Sequence, residues 1–261
     1  MRHQNKGLID RDVSLNFQFN GKHFKGFKGD TLASALLANN QILVGRSFKY
    51  HRPRGVMTAG SEEPNALVTV ERAGSLEPNT RATVQPLYEG LIAQSQNAWP
   101  TLRYDLLSIN NYLSPFLATG FYYKTFMWPR AFWEMLYEPL IRRAAGLGSL
   151  GLDFNNDLYE KAFAHCDVLI IGAGPSGLMA AWTAAHAGLD VILVDENNRA
   201  GGRLLSEVEE VGGKFGCVWA SDIIKDLQAL PNVNIMMNTT VTGAYDQGTY
   251  GALERVGHHL K

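Results

Sequence analysis

Apolar and polar side chains alternate along residues 13–28, "VSLNFQFNGKHFKGFK", on either side of Asn20-Gly21. A period of two predicts strands, and Asn-Gly best accepts the positive φ angles of a two-residue hairpin turn. In the following "GDTLASALLANN" the period lengthens: Leu32, Ala35 and Leu36 fall on one helical face, Asp30 or Thr31 is placed to cap its start, and Asn39 or Asn40 to end it. "NALVTVER" reads as another strand. Between 105 and 150 aromatic, Pro and Gly residues mix without a single period, and the reading is a mostly helical connector packed on a neighbouring domain, with an intermolecular contact kept open. From 167 the pattern changes again. Val168–Ile171 form an unbroken apolar run that predicts a parallel strand covered on both faces; a helix from about Ser176 to His186 ends at Gly188, and a second buried strand is predicted at 191–194.

Strand, strand, helix, strand is the order of a β-grasp fold, and strand, glycine turn, helix, strand is a βαβ unit. The fold class expected is therefore α+β followed by α/β. The expected boundaries are a β-grasp domain at 1–104, the connector at 105–162 and a Rossmann-type dinucleotide-binding domain at 163–261. The second domain reads as incomplete, because no later strand with an Ala-Thr-Gly-like turn follows "GALERVGHHLK".

With 261 residues the chain has room for two cores. A formal net charge of -1 gives no overall field to recruit nucleic acid or an anionic membrane. The aromatic stretch around 112–148 is broken by Pro115, Lys124, Pro129, Arg130 and Glu134 well short of the roughly 18 apolar residues of a membrane span. "MRHQNKGLIDRD" lacks the apolar core of a secretory signal. Two cysteines, Cys166 and Cys217, suit a reducing compartment, so a cytoplasmic location is expected. Both read as small apolar fillers. His165, His186, His258 and His259 have no acid or cysteine at ligand spacing, which argues against a metal site.

The chemistry sits in the βαβ unit. Gly172, Gly174 and Gly177 spell G-x-G-x-x-G directly after a strand and at the start of a helix. The first glycine permits the turn, the second lets backbone approach a pyrophosphate, the third lets helix and strand pack closely, and the helix N-terminus offers free N–H groups to phosphate. Asp195 ends the second strand 23 residues after Gly172, near the roughly 20 expected for an acid on a ribose hydroxyl. A carboxylate there disfavours a 2′-phosphate, so NAD or the ADP half of FAD is expected over NADP. The candidate cofactor-binding residues are Gly172, Ala173, Gly174, Pro175, Ser176 and Gly177, then Asp195 and Glu196, then Gly201, Gly202 and Arg203. No catalytic group and no metal ligand is recognised.

A second stretch poses a question. "GRSFKYHRPRGVMTAGSEEPN", residues 45–65, lies where a ferredoxin-like β-grasp domain would carry cluster-binding cysteines, yet it has none. Arg46, Lys49, His51, Arg52 and Arg54 stand there, followed by Glu62 and Glu63. Four thiolates are needed for a cluster and the chain has two cysteines, so no iron-sulfur cluster is expected. The basic residues are open to two readings: contact with an anion or an acidic partner surface, or pairing with Glu62 and Glu63.

Together "GDTLASALLAN", "RSFKYHRPRGVMTAGSEEPNALV", "GFYYKTFMWP", "IIGAGPSGLMAA", "VDENNRAGG" and "TYGALERV" resemble the α subunit of the heterotetrameric sarcosine oxidases, over nearly the whole chain from about residue 7. The resemblance implies the N-terminal portion of a longer chain, assembled with β, γ and δ subunits. It implies NAD in the glycine site, FMN at the boundary with the β subunit and FAD within that subunit. The implied reaction takes sarcosine to glycine with oxygen and tetrahydrofolate, giving hydrogen peroxide and 5,10-methylenetetrahydrofolate. Alternatives are a subunit of an FAD-dependent amine or proline dehydrogenase, and a non-catalytic assembly scaffold.

Overall fold

In the computed structural model, residues 2–3, 7–72, 74–117, 119–121, 126, 128–145 and 159–257 are described. His258, His259 and Lys124, and parts of the expected connector, lie outside them. The chain divides into two units, Met1–Asn156 and Asp157–Leu260.

In the first unit β1 (Asp10–Phe19) and β2 (Lys22–Lys28) pair antiparallel. Asn20 and Gly21 turn between them with φ of 50° and 73°, the left-handed values that the dipeptide tolerates. Helix α1 (Leu32–Ala38) begins at Thr31, whose Oγ1 accepts from Ser34 N at 3.2 Å while Ser34 Oγ accepts from Thr31 N at 3.0 Å. Asn40, at φ 59°, takes the left-handed position after the helix. The short pair β3 (Gly45–Arg46) and β4 (Pro53–Arg54) brackets the basic loop, and β5 (Leu67–Arg72), β6 (Ser75–Arg81) and β7 (Leu91–Ser95) complete the sheet. Its order is β2-β1-β7-β5-β6, with β1 and β7 parallel through Phe17–Leu91 and the other neighbours antiparallel. Leu32, Ala35 and Leu36 of α1 close the face presented by Phe17, Phe19, Val68, Val70 and Leu91. This is the ferredoxin-like grasp expected from the pattern. Beyond it the connector is less helical than its composition suggested: a 3₁₀ turn at Leu106–Asn111, a π-helical turn at Trp133–Tyr137 and α2 (Glu138–Ala145) are its helical pieces among the described residues.

In the second unit β8 (Val168–Ile171), α3 (Pro175–His186) and β9 (Val191–Val194) form the βαβ unit. A short hairpin, β10 (Glu210–Val211) with β11 (Lys214–Phe215), leads into α4 (Gly216–Gln228) and β12 (Val233–Met236). The sheet is parallel in the order β12-β9-β8, and a hairpin of β13 (Thr239–Tyr245) and β14 (Thr249–Glu254) follows. Leu178, Ala181 and Ala185 of α3 and Ala220 and Leu227 of α4 pack with Leu193. β9 is buried throughout, as its run of Val-Ile-Leu-Val demands. β8 differs from expectation: its first three residues are half-buried and Ile171 is exposed. The physical reason is position, since β8 is the sheet's edge strand among the described residues.

Candidate functional site

At the end of β8 the chain turns through Gly172, whose φ of 102° requires glycine, while its N–H donates to Val194 O at 2.7 Å. Ala173 is buried beneath the turn. Gly174 is the N-cap of α3, with ordinary extended backbone and no side chain to cap the helix, and Pro175 takes the first helical position, where its missing N–H costs nothing. The N–H groups of Ser176 and Gly177 have no intrahelical acceptor by helix geometry. A Cβ built on Gly174 meets nothing within 4 Å, so the space off this α-carbon at the helix start is open. Gly177 is fixed for the opposite reason. A Cβ there would come 1.8 Å from Gly172 O, so only glycine lets the helix lie on the turn.

The second glycine pair is brought onto the first. Gly201 N donates to Ala173 O at 2.7 Å, Gly201 and Gly202 have φ of 121° and 52°, and a Cβ on Gly202 would lie 3.1 Å from Gly174 Cα. These glycines serve loop-to-loop contact. Glycine content predicts backbone freedom here but names no neighbour, so this packing role is not legible in the sequence.

Asp195, 8% exposed, is tied into the same structure. Its Oδ2 accepts from Ala173 N at 2.6 Å, and its Oδ1 accepts from Asn197 N at 2.8 Å and Asn197 Nδ2 at 2.9 Å. The carboxylate therefore clamps the glycine turn to the end of β9. An ionised carboxylate has about four acceptor positions, so one remains on Oδ2. Glu196 and Ser176 are exposed. Arg203, in the turn after Gly202, donates Nε to Glu207 Oε1 at 2.7 Å on the surface. Contacts thus tie Asp195, Gly201 and Gly202 to the turn at Gly172–Gly174, while Arg203 pairs with Glu207 on the surface.

In the first unit the basic loop is organised from within. Arg46 donates to the carbonyls of His51, Leu102 and Arg103 at 2.9 to 3.2 Å. His51, buried and held at φ 53°, places Nδ1 2.7 Å from Asp105 Oδ2, while Asp105 Oδ1 accepts from Trp99 N and Leu107 N. Arg52 Nε donates to Asn111 Oδ1 at 3.1 Å, and Lys49 lies over the rings of Tyr50 and Phe121. Pairing with Glu63 is not what the loop uses. Glu63 is buried and accepts four backbone N–H groups: Met57 and Thr58 on Oε2, Asn65 and Ala66 on Oε1. Burial pushes its carboxyl up, but these four donors outweigh it and hold the pKa below the ordinary glutamate value.

Residues 12–98 match the family model of a 2Fe-2S iron-sulfur cluster binding domain, and residues 170–240 that of an NAD(P)-binding Rossmann-like domain. The first match corrects the expectation that an iron-sulfur cluster has no place here: the domain is of the cluster-binding type. The donor set does not follow the match, since both cysteines, Cys166 and Cys217, lie outside 12–98.

Among curated proteins the chain is 58% identical over 98% of its length to sarcosine oxidase subunit alpha of Rhizobium meliloti (strain 1021), covering 26% of that protein. It is 34% identical over 97% of its length to sarcosine oxidase subunit alpha of Corynebacterium sp. (strain P-1), covering 22% of it. A solved L-proline dehydrogenase from P. horikoshii shares the fold, with a TM-score of 0.54 at 20% identity, over 97% of this chain and 38% of that one. No described helix is long and apolar enough to cross a membrane. Along nearly its whole length the chain is similar to the alpha subunits of sarcosine oxidase, and it spans about a quarter of their length.

Proposed function

We propose that this chain is the NAD-binding part of the alpha subunit of a multisubunit sarcosine oxidase, with other subunits and the rest of the alpha chain completing the enzyme. The observation that carries the cofactor reading is the start of α3: bare N–H groups of Ser176 and Gly177, no capping side chain, and open space before Gly174. These features suit a pyrophosphate. The ribose hydroxyls are met by the acceptor position left on Asp195 Oδ2, and exposed Glu196 adds negative charge that disfavours a 2′-phosphate. Bound there, NAD supplies hydride exchange at its nicotinamide; the residues named hold and orient the pyrophosphate and one ribose. None of them is assigned a catalytic role.

Sarcosine as the substrate of the whole enzyme rests on the likeness to the named alpha subunits. Its oxidation to glycine, with transfer of the one-carbon unit to tetrahydrofolate, belongs to the assembled protein. The likeness to proline dehydrogenase is one of fold and favours no second reading.

Titration of the 261-residue chain with NAD, NADP and FAD tests the site. Saturable NAD binding, with NADP weaker by at least about tenfold, is expected. NADP binding as tightly as NAD, or FAD alone binding, contradicts the assignment.

A further inference from the structure

Past the end of β9 the chain is held by backbone from a second loop. Asp195 N donates to Met236 O at 3.1 Å, Thr239 N donates to Asp195 O at 2.8 Å, and Asn238 N donates to Asn197 O at 3.0 Å. Asn238 allows this by turning the chain at φ 53°, a left-handed value that asparagine tolerates. The main chain of residues 195–197 therefore cannot rotate without breaking these bonds.

On that fixed backbone Asn197 sets the Asp195 carboxylate. Its main-chain N and its side-chain Nδ2 both donate to Oδ1, at 2.8 and 2.9 Å. An ionised carboxylate only accepts, so the amide presents its NH₂ and not its oxygen. Together the two donors fill the acceptor positions of Oδ1, and Ala173 N fills one of those on Oδ2. The terminal torsion of an aspartate is broad, so a carboxylate held by fewer donors can turn about its Cβ–Cγ bond. Backbone N–H groups already tie Asp195 to the glycine turn and to its own loop. The side-chain amide of Asn197, half-buried beside a carboxylate that is 8% exposed, is the further donor that fixes which oxygen stays open.

We propose that Asn197 is a positioning residue for the nucleotide: its amide holds the Asp195 carboxylate with Oδ2 open to a ribose hydroxyl, without touching the cofactor itself. The proposal rests on the reading of this turn as an NAD cradle. It assigns the preference for a hydroxylated ribose to two side chains acting together, Asp195 as the acceptor and Asn197 as the group that aims it.

Calorimetric titration of the 261-residue chain with NAD, and with analogues lacking the 2′- or the 3′-hydroxyl of the adenosine ribose, tests this. In the wild type at least one analogue should bind about tenfold more weakly than NAD. Asn197→Ala should shrink that ratio to under about threefold, chiefly through weaker NAD binding, because a carboxylate that is no longer aimed gains little from the hydroxyl. A merely structural role would lower the affinity for all three ligands alike and leave the ratio as it was. Asn197→Leu removes the donor while keeping the bulk and should give the same result; it serves alone should the alanine variant not fold, and failure of both to fold would make Asn197 a structural residue and overturn the proposal. A wild type that binds no NAD overturns the cradle reading and the proposal with it, and one that binds all three ligands equally removes Asp195 from the ribose. A wild type that prefers NAD, with variants that keep the full ratio, overturns the role of Asn197 alone.

Discussion

Two buried carboxylates, Glu63 and Asp195, do comparable work in the two units: each draws backbone N–H groups from separate parts of a loop onto one anionic centre. For Glu63 this has a pH signature. Its folded pKa lies below the ordinary value of 4.5, so its stabilisation is complete above that value and is lost as pH falls through the depressed folded pKa. Melting temperature of the wild-type chain should therefore drop on acidification below about pH 4.5, and Glu63→Gln, which turns a donor toward four donors, should lose about 3 kcal/mol at neutral pH and show a smaller acid-dependent drop. Parallel pH profiles for the two proteins would refute this. Asp195→Asn should weaken NAD binding by about 1 to 3 kcal/mol and also loosen the glycine turn, because Ala173 N loses a charged acceptor. Calorimetry with NAD and a melting curve measure both effects; a change in stability with an unaltered dissociation constant would remove Asp195 from the ribose. Gly177→Ala sets a Cβ against a carbonyl oxygen that cannot move away, and a loss of about 3 kcal/mol in unfolding free energy is expected.

At the scale of elements, what could be read beforehand was what local pattern decides. The Asn20-Gly21 hairpin, the Thr31 start of α1, and β8, α3 and β9 follow from turn chemistry, capping and period, and each lies within three residues of where the pattern put it. The glycine triplet was legible because its spacing carries its own physical demands. What pattern could not show was partnership across long separations. The basic loop closes on residues 51–117 of its own unit through Arg46 to Leu102, His51 to Asp105, Arg52 to Asn111 and Tyr50 Oη to Leu117 O. Nothing in a run of Arg and Lys says that its acceptors are carbonyls more than 50 residues away. Partial cover of β8 escaped the apolar run for the same reason, since strand order is not written in composition. The buried His51–Asp105 pair makes the loop's closure testable: Asp105→Ala leaves His51 and two N–H groups without their acceptor and should cost about 3 to 5 kcal/mol in chemical denaturation. A loss under about 1 kcal/mol would mean that the pair does not hold the loop.

At the scale of the whole molecule, the chain has a ferredoxin-like unit whose basic loop is tied to its own backbone and a Rossmann-like unit with a bare helix N-terminus, and it spans 26% of the length of its Rhizobium meliloti relative. Among the described residues neither unit presents a group recognised as oxidising an amine. Sarcosine-dependent hydrogen peroxide is accordingly not expected from the 261-residue chain alone, and a peroxide assay with the purified chain checks this. The central claim concerns the cradle, and Gly174 gives the most direct access to it. Its φ of -71° suits any residue and a Cβ there touches nothing of the protein, so Gly174→Ala should fold with an unchanged melting temperature. The added methyl group occupies the space assigned to the pyrophosphate. Isothermal titration of this variant with NAD should show affinity reduced by at least about tenfold, equivalent to about 1.4 kcal/mol; a normally folded variant that binds NAD as tightly as the wild type would contradict the account.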